Sequence, residues 1–212
     1  MTDEDDADFE PLPKSAPADR ATAGPLDASE ANAVRPYIEL GGVKILPREG
    51  LGLRLEVEEG TGRVVAVGLD YAESSLQVQP FAAPRTSGLW HEIRGQLEQQ
   101  IQSQGGTTRV VDGSLGPELL AQIPAQSAPG QPPVARYARF VGVDGPRWFL
   151  RGVISGQGAV DQQVGAQMEE LFRSVVVVRG SAPMPPRDLI PLQMPQGADT
   201  PDAPPQRSQL GA

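Results

Sequence analysis

Cysteine is absent from the 212-residue chain, and histidine occurs once, as His91. Without thiols there is no disulfide framework, no cysteine-ligated zinc or iron–sulfur site and no thiol nucleophile, and a reducing or redox-indifferent compartment suits such a chain. A serine–histidine–aspartate triad would have to use His91, and no Gly-x-Ser-x-Gly elbow accompanies it. His91 lies between Trp90 and Glu92, off the apolar stripe of its helix, and reads as an exposed surface residue. Long apolar runs are also missing: nothing approaches the ~18 residues of a membrane span. The N-terminus, MTDEDDADFE, is acidic where a secretory leader is basic and then apolar. The expectation is a soluble, cytoplasmic protein.

Other site signatures are incomplete. No Walker loop is present. Gly156-Gln157-Gly158 lies between a strand and a helix, but the third glycine of a dinucleotide loop would fall at Asp161, which is better read as a helix N-cap. The run Asp3, Glu4, Asp5, Asp6, Asp8 lacks the glycine and terminal glutamate of a calcium loop and reads as solvated charge. Glu58-Glu59 and Glu169-Glu170 are adjacent in sequence and so point apart. No catalytic residue, metal site or cofactor is expected from these patterns.

What the chain has in quantity is glycine and proline, 24 and 22 residues. Its net charge of −9 is uneven. Residues 1–35 carry nine acids against three bases, whereas residues 36–182 carry fifteen against thirteen. A nearly neutral body gives no basic face for non-specific nucleic-acid binding. Residues 1–35 lack sustained periodicity and are expected to be a disordered acidic, proline-rich tail; residues 183–212 are a second proline-rich tail. The apolar residues Met184, Leu189, Ile190, Leu192 and Met194 would allow the first part of that second tail to lie across the domain.

Residues 36–182 read as one folded α+β domain. Period-2 patterns over 37–46, 51–58, 63–71 and 75–82 predict a strand meander. Leu89, Trp90, Ile93, Leu97 and Ile101 then recur at helical spacing, with Thr86 or Ser87 as N-cap and Gly105-Gly106 as terminator. Residues 107–111 and 118–123 return to strand character, and the loop 125–133 leads to a hairpin over residues 139–152. A second helix is predicted over 161–172 and a last strand over 174–179. Short connections favour a single, largely antiparallel sheet with two amphipathic helices packed on it.

The hairpin RFVGVDGPRWFLRG carries the densest chemistry. A loop of Asp144-Gly145-Pro146-Arg147 would pair Val143 with Trp148 and Arg139 with Gly152, placing Tyr137, Val141, Val143, Trp148, Leu150 and Ile154 on one face. The bland reading puts Trp148 in the core and the arginine heads on domain carboxylates. The functional one makes Arg136, Arg139, Arg147, Trp148 and Arg151 a binding surface for a phosphate, a nucleotide or an acidic peptide.

The stretches GRVVAVGLDYAESSLQVQPFAAPRTSGLWHEIRGQL, RYARFVGVDGPRWFLRGVISG and MEELFRSVVVVRGSAPMPPRDLIPLQMP closely resemble an actinobacterial family, domain-of-unknown-function family 3710. The strand–helix order is also similar to the Mog1/PsbP-like sandwich. That likeness implies a binding or assembly module rather than an enzyme. The expected function is therefore a non-enzymatic interaction module whose partner is a protein, with a small anionic ligand or nucleotide at the hairpin as the alternative.

Overall fold

The structure, a computed structural model, describes residues 12–125 and 134–195. In chain order the elements are α1 (Arg20–Ala23), β1 (Leu26–Asp27), β2 (Ile38–Glu39), β3 (Val43–Ile45), β4 (Gly52–Val57), β5 (Val64–Tyr71) and β6 (Ser74–Ala82). There follow α2 (Trp90–Ser103), β7 (Thr107–Gly113), β8 (Gly116–Ala125), β9 (Val134–Asp144), β10 (Trp148–Gly156), α3 (Gln162–Arg173) and β11 (Val176–Val177). The expected loop over 125–133 and the outer tails, 1–11 and 196–212, fall outside the described residues, except for Ala125.

Two sheets form, not one. The larger is a seven-stranded antiparallel sheet in the order β4-β5-β6-β10-β9-β8-β7. The smaller has the order β1-β11-β3-β2, with β1 and β11 parallel. The single-sheet expectation fails because residues 37–46 are not one strand. Gly41, at φ +73°, and Gly42 turn the chain so that Ile38 pairs with Ile45. That compact hairpin takes β11 as a neighbour instead of leaving it to extend the large sheet.

Alternating side chains on the large sheet feed two cores. On one face Val67, Leu69, Leu76, Val78, Val141, Val143, Trp148, Leu150 and Ile154 pack under α3 and the small sheet, which contribute Met168, Leu171, Phe172, Leu40, Val43, Ile45 and Val177. On the other face Leu119, Ala121, Phe140 and Phe149 pack under Leu89, just ahead of α2, and Trp90 and Ile101 of α2. Trp90 and Phe149 stack with ring centroids 5.9 Å apart.

The chain ends are drawn into this body further than the sequence suggests. Residues 12–35, expected outside the fold, contain α1 and β1; Leu26 donates to the carbonyl of Val175. Beyond β11, the segment 187–193 runs beside β6 where β5 has ended: Arg187 donates to Ala82, Ile190 to Pro80 and Gln193 to Leu40. Ile190 and Leu192 are buried by this course. None of the described helices is long and apolar enough to cross a membrane.

Candidate functional site

The β9–β10 hairpin pairs Leu150 with Val143 and Gly152 with Val141, a register displaced by two positions from that drawn from the sequence. A shift of two preserves the faces, so Val141, Val143, Trp148, Leu150 and Ile154 still share a core. Gly152 sits opposite Val141, not Arg139: a Cβ there would come within 2.7 Å of Phe172 and of Val141, so the gap is filled by core side chains and not by Arg139. The turn therefore comprises residues 145–148, closed by a hydrogen bond from the Gly145 amide to the Trp148 carbonyl.

The five candidate hairpin residues do not converge. Arg136 is exposed on the α2 side of β9, opposite Ile123. Arg151 is on the same side of the sheet but at the far end of the hairpin, opposite Gly142. Burial alone lowers its pKa, and among the described residues its Nε meets no acceptor. Arg139 and Trp148 point to the α3 side. Trp148 is fully buried, donating from Nε1 to Asp27 Oδ2 at 2.9 Å, with the Arg20 guanidinium 5.6 Å from its ring centroid. It offers no open stacking face. Arg147 lies in the turn and donates to the Gly180 carbonyl at 2.9 Å.

Arg139 is the centre of a buried charge cluster. Its Nε donates to Glu118 Oε2 at 2.5 Å, its Nη2 to Glu118 Oε1 at 3.1 Å and also to Glu169. The Glu118 side chain is 2% exposed. Burial raises the Glu118 pKa despite the opposing pull of Arg139. Two glycines make the space: a Cβ on Gly113 would strike the Glu118 carboxylate, and one on Gly165 of α3 would come within 2.8 Å of Arg139 Nη1. Ser114 donates to the free side of Glu169. The cluster lines a cleft of about 480 Å³ between the sheet and the start of α3, where Asp112 and Asp161 bring the carboxylates to four against one guanidinium. Asp161 also caps α3, accepting from the Val164 amide at 2.8 Å.

Among the described residues, no element covers the sheet face beside this cleft. Pairing aligns Arg109 with Leu120 and Leu120 with Arg139, and in the next row Thr107 with Gln122 and Gln122 with Tyr137. Arg109, Gln122 and Tyr137 are exposed there, Tyr137 at 50%. Periodicity does not reveal this, because it reports which residues share a face and not whether another element covers it.

Asp144 is a second charged group that sequence reasoning assigned only to a loop. It is 2% exposed and accepts from the amides of Leu89 and Ser15, each at 2.9 Å. It thus caps α2 from a distant strand, where Thr86 or Ser87 had been expected to do so. Burial raises its pKa against these backbone hydrogen bonds. Lys14 donates to the carbonyls of Gly145 at 2.5 Å and Pro146 at 2.7 Å, which clamps residues 12–15 over the same turn. His91 is exposed, 3.4 Å from Arg94. Among the described residues no group of three or more histidine, aspartate or glutamate side chains is placed to hold a metal ion.

A seven-stranded antiparallel sheet with α2 on one side and α3 plus a four-stranded sheet on the other defines a two-sheet α+β domain. The chain belongs to the family described as Protein of unknown function (DUF3710), whose model matches residues 24–200. That span takes in β1 and the 187–193 segment, so both belong to the family's domain. No curated protein and no solved structure matches the chain.

Proposed function

We propose that the protein is a cytoplasmic, non-enzymatic interaction module that captures a protein partner on the uncovered face of β7, β8 and β9. The carrying observation is a sheet face on which Arg109, Gln122 and Tyr137 are exposed around the half-buried Leu120, beside a cleft in which Asp112, Glu118, Asp161 and Glu169 outnumber Arg139. Charge complementarity defines the occupant as a segment offering a lysine or arginine to the cleft and an apolar side chain to Leu120 and Tyr137. The scattered placement of Arg136, Arg139, Arg147 and Arg151 supports this over a nucleotide held by the hairpin as a set. The reading extends to an actinobacterial protein of Mog1/PsbP-like sandwich form, supported by helices packed on an antiparallel sheet.

A photo-crosslinking residue in place of Tyr137 in the full chain, expressed in its own cells, is expected to give one discrete protein adduct. The same probe in place of Glu59, in the β4–β5 turn, is expected to give none. The adduct should disappear when Asp112 and Asp161 are changed to lysine. Identical adducts from both positions, or an adduct indifferent to that charge reversal, would refute the reading.

A further inference from the structure

We propose that Arg147 and Arg179 form a binding site for a phosphate-type oxyanion, in a pocket at the β9–β10 turn separate from the β7–β8–β9 face. Both guanidinium groups line a cavity of about 390 Å³ closed by Asp27, Ala28, Ser29, Pro146 and Gly180. Neither has an ion-pair partner among the described residues; each donates to a carbonyl, Arg147 to Gly180 and Arg179 to Ala182, both at 2.9 Å. The Arg179 Nε is buried and, among the described residues, meets no acceptor. Burial lowers the Arg179 pKa and the neighbouring Arg147 charge lowers it further, so the two cations stand close enough to repel.

Like charges held together without a counter-ion are stabilised by an anion placed between them, and guanidinium forks suit an oxyanion with several acceptor oxygens. The one carboxylate in the wall does not serve as that anion. Asp27 Oδ2 is taken by Trp148 Nε1 at 2.9 Å, and Oδ1 by the Ser29 hydroxyl at 2.6 Å and amide at 3.0 Å. These bonds bring the Asp27 pKa below the ordinary carboxylate value although burial acts to raise it. Asp27 is thereby fixed as a wall and leaves the two guanidinium groups free to a ligand. The chemistry recognised is the phosphate group itself, and its source is either free phosphate or a phosphorylated side chain of another protein.

The test is titration of the full chain with inorganic phosphate at constant ionic strength, with chloride as the control, reading the arginine Nε–H signals by NMR. Saturable shifts confined to Arg147 and Arg179 are expected. Arg179→Gln and, separately, Arg147→Gln should weaken binding at least tenfold, with the Trp148 indole signal unmoved as the sign of an intact fold. Arg85→Gln, outside the pocket, should leave binding unchanged. A phosphoserine peptide that saturates the same signals at lower concentration than phosphate assigns the site to a protein-borne group; the reverse order assigns it to the free ion. Shifts that grow linearly, that appear equally at all arginines, or that survive Arg179→Gln would overturn the proposal.

Discussion

Arg139→Met is the substitution on which the reasoning about buried charge can be tested most directly. It keeps much of the side-chain volume but withdraws the guanidinium from between Glu118 and Glu169, whose side chains are only 2% and 16% exposed. Removing one member of a buried ion pair costs about 3–5 kcal/mol, chiefly by leaving the other charge without compensation. With a urea m-value of about 2 kcal/mol per M, the unfolding midpoint at pH 7.5 should fall by about 2 M. The loss must also depend on pH. Burial already raises the folded-state pKa of Glu118, and without Arg139 it rises further. A carboxyl with a raised folded pKa costs nothing below its unfolded value and progressively more as pH climbs through the folded value. The penalty should therefore be smaller at pH 5 than at pH 7.5. Adding Glu118→Gln to Arg139→Met should recover part of the loss at pH 7.5. Equal losses at both pH values, or a loss under about 1 kcal/mol at pH 7.5, would refute the account of this cluster.

Further expectations are accessible to the same unfolding measurements. Asp144→Ala leaves the Leu89 and Ser15 amides without their acceptor and should cost about 2–5 kcal/mol, with Asp144→Asn less damaging. Gly142→Ala would put a Cβ 2.4 Å from the Trp90 ring and 2.8 Å from Phe149, and should cost at least about 1–3 kcal/mol through overpacking, visible as altered tryptophan emission. Asp70→Asn breaks an ion pair with Arg54 in which both side chains are about half exposed, and should change stability by less than about 1 kcal/mol. Hydrogen bonds, from Arg20 to Glu30 and from Arg54 to Asp70, lower these two carboxyl pKa values, so their stabilisation is present at neutral pH and disappears as pH falls through the folded values. An acid titration of Glu30→Gln should accordingly show a smaller loss than the parent.

Much of the body was legible from sequence because period and burial coincide there. The stripe from Leu89 to Ile101, the Asp161 cap and the two-faced hairpin all follow from local spacing, and each has its counterpart in the structure. What escaped is long-range. Asp144 caps a helix far along the chain, β11 chooses β3 and β1 over the large sheet, and Leu26–Asp27 become a strand only because Val176–Val177 supply a partner. The charged groups divide in the same way. Glu118 carries no sequence signal, since its importance arises from the closeness of Arg139 and Glu169. Arg179 belongs to a pair with Arg147 only once the strand after α3 returns to the β9–β10 turn.

The small sheet also constrains how the protein can be made. Its inner strand, β11, joins β1 from the start of the chain to β3, and the 187–193 segment then crosses Leu40 and Gly42. During synthesis β1, β2 and β3 leave the ribosome long before these partners exist. The apolar surface of Leu40, Val43 and Ile45 waits uncovered until the last described turns of the polypeptide emerge. This layer therefore closes only once β11 and the 187–193 segment have emerged, and a chain truncated ahead of Val176 exposes that surface to aggregation and proteolysis.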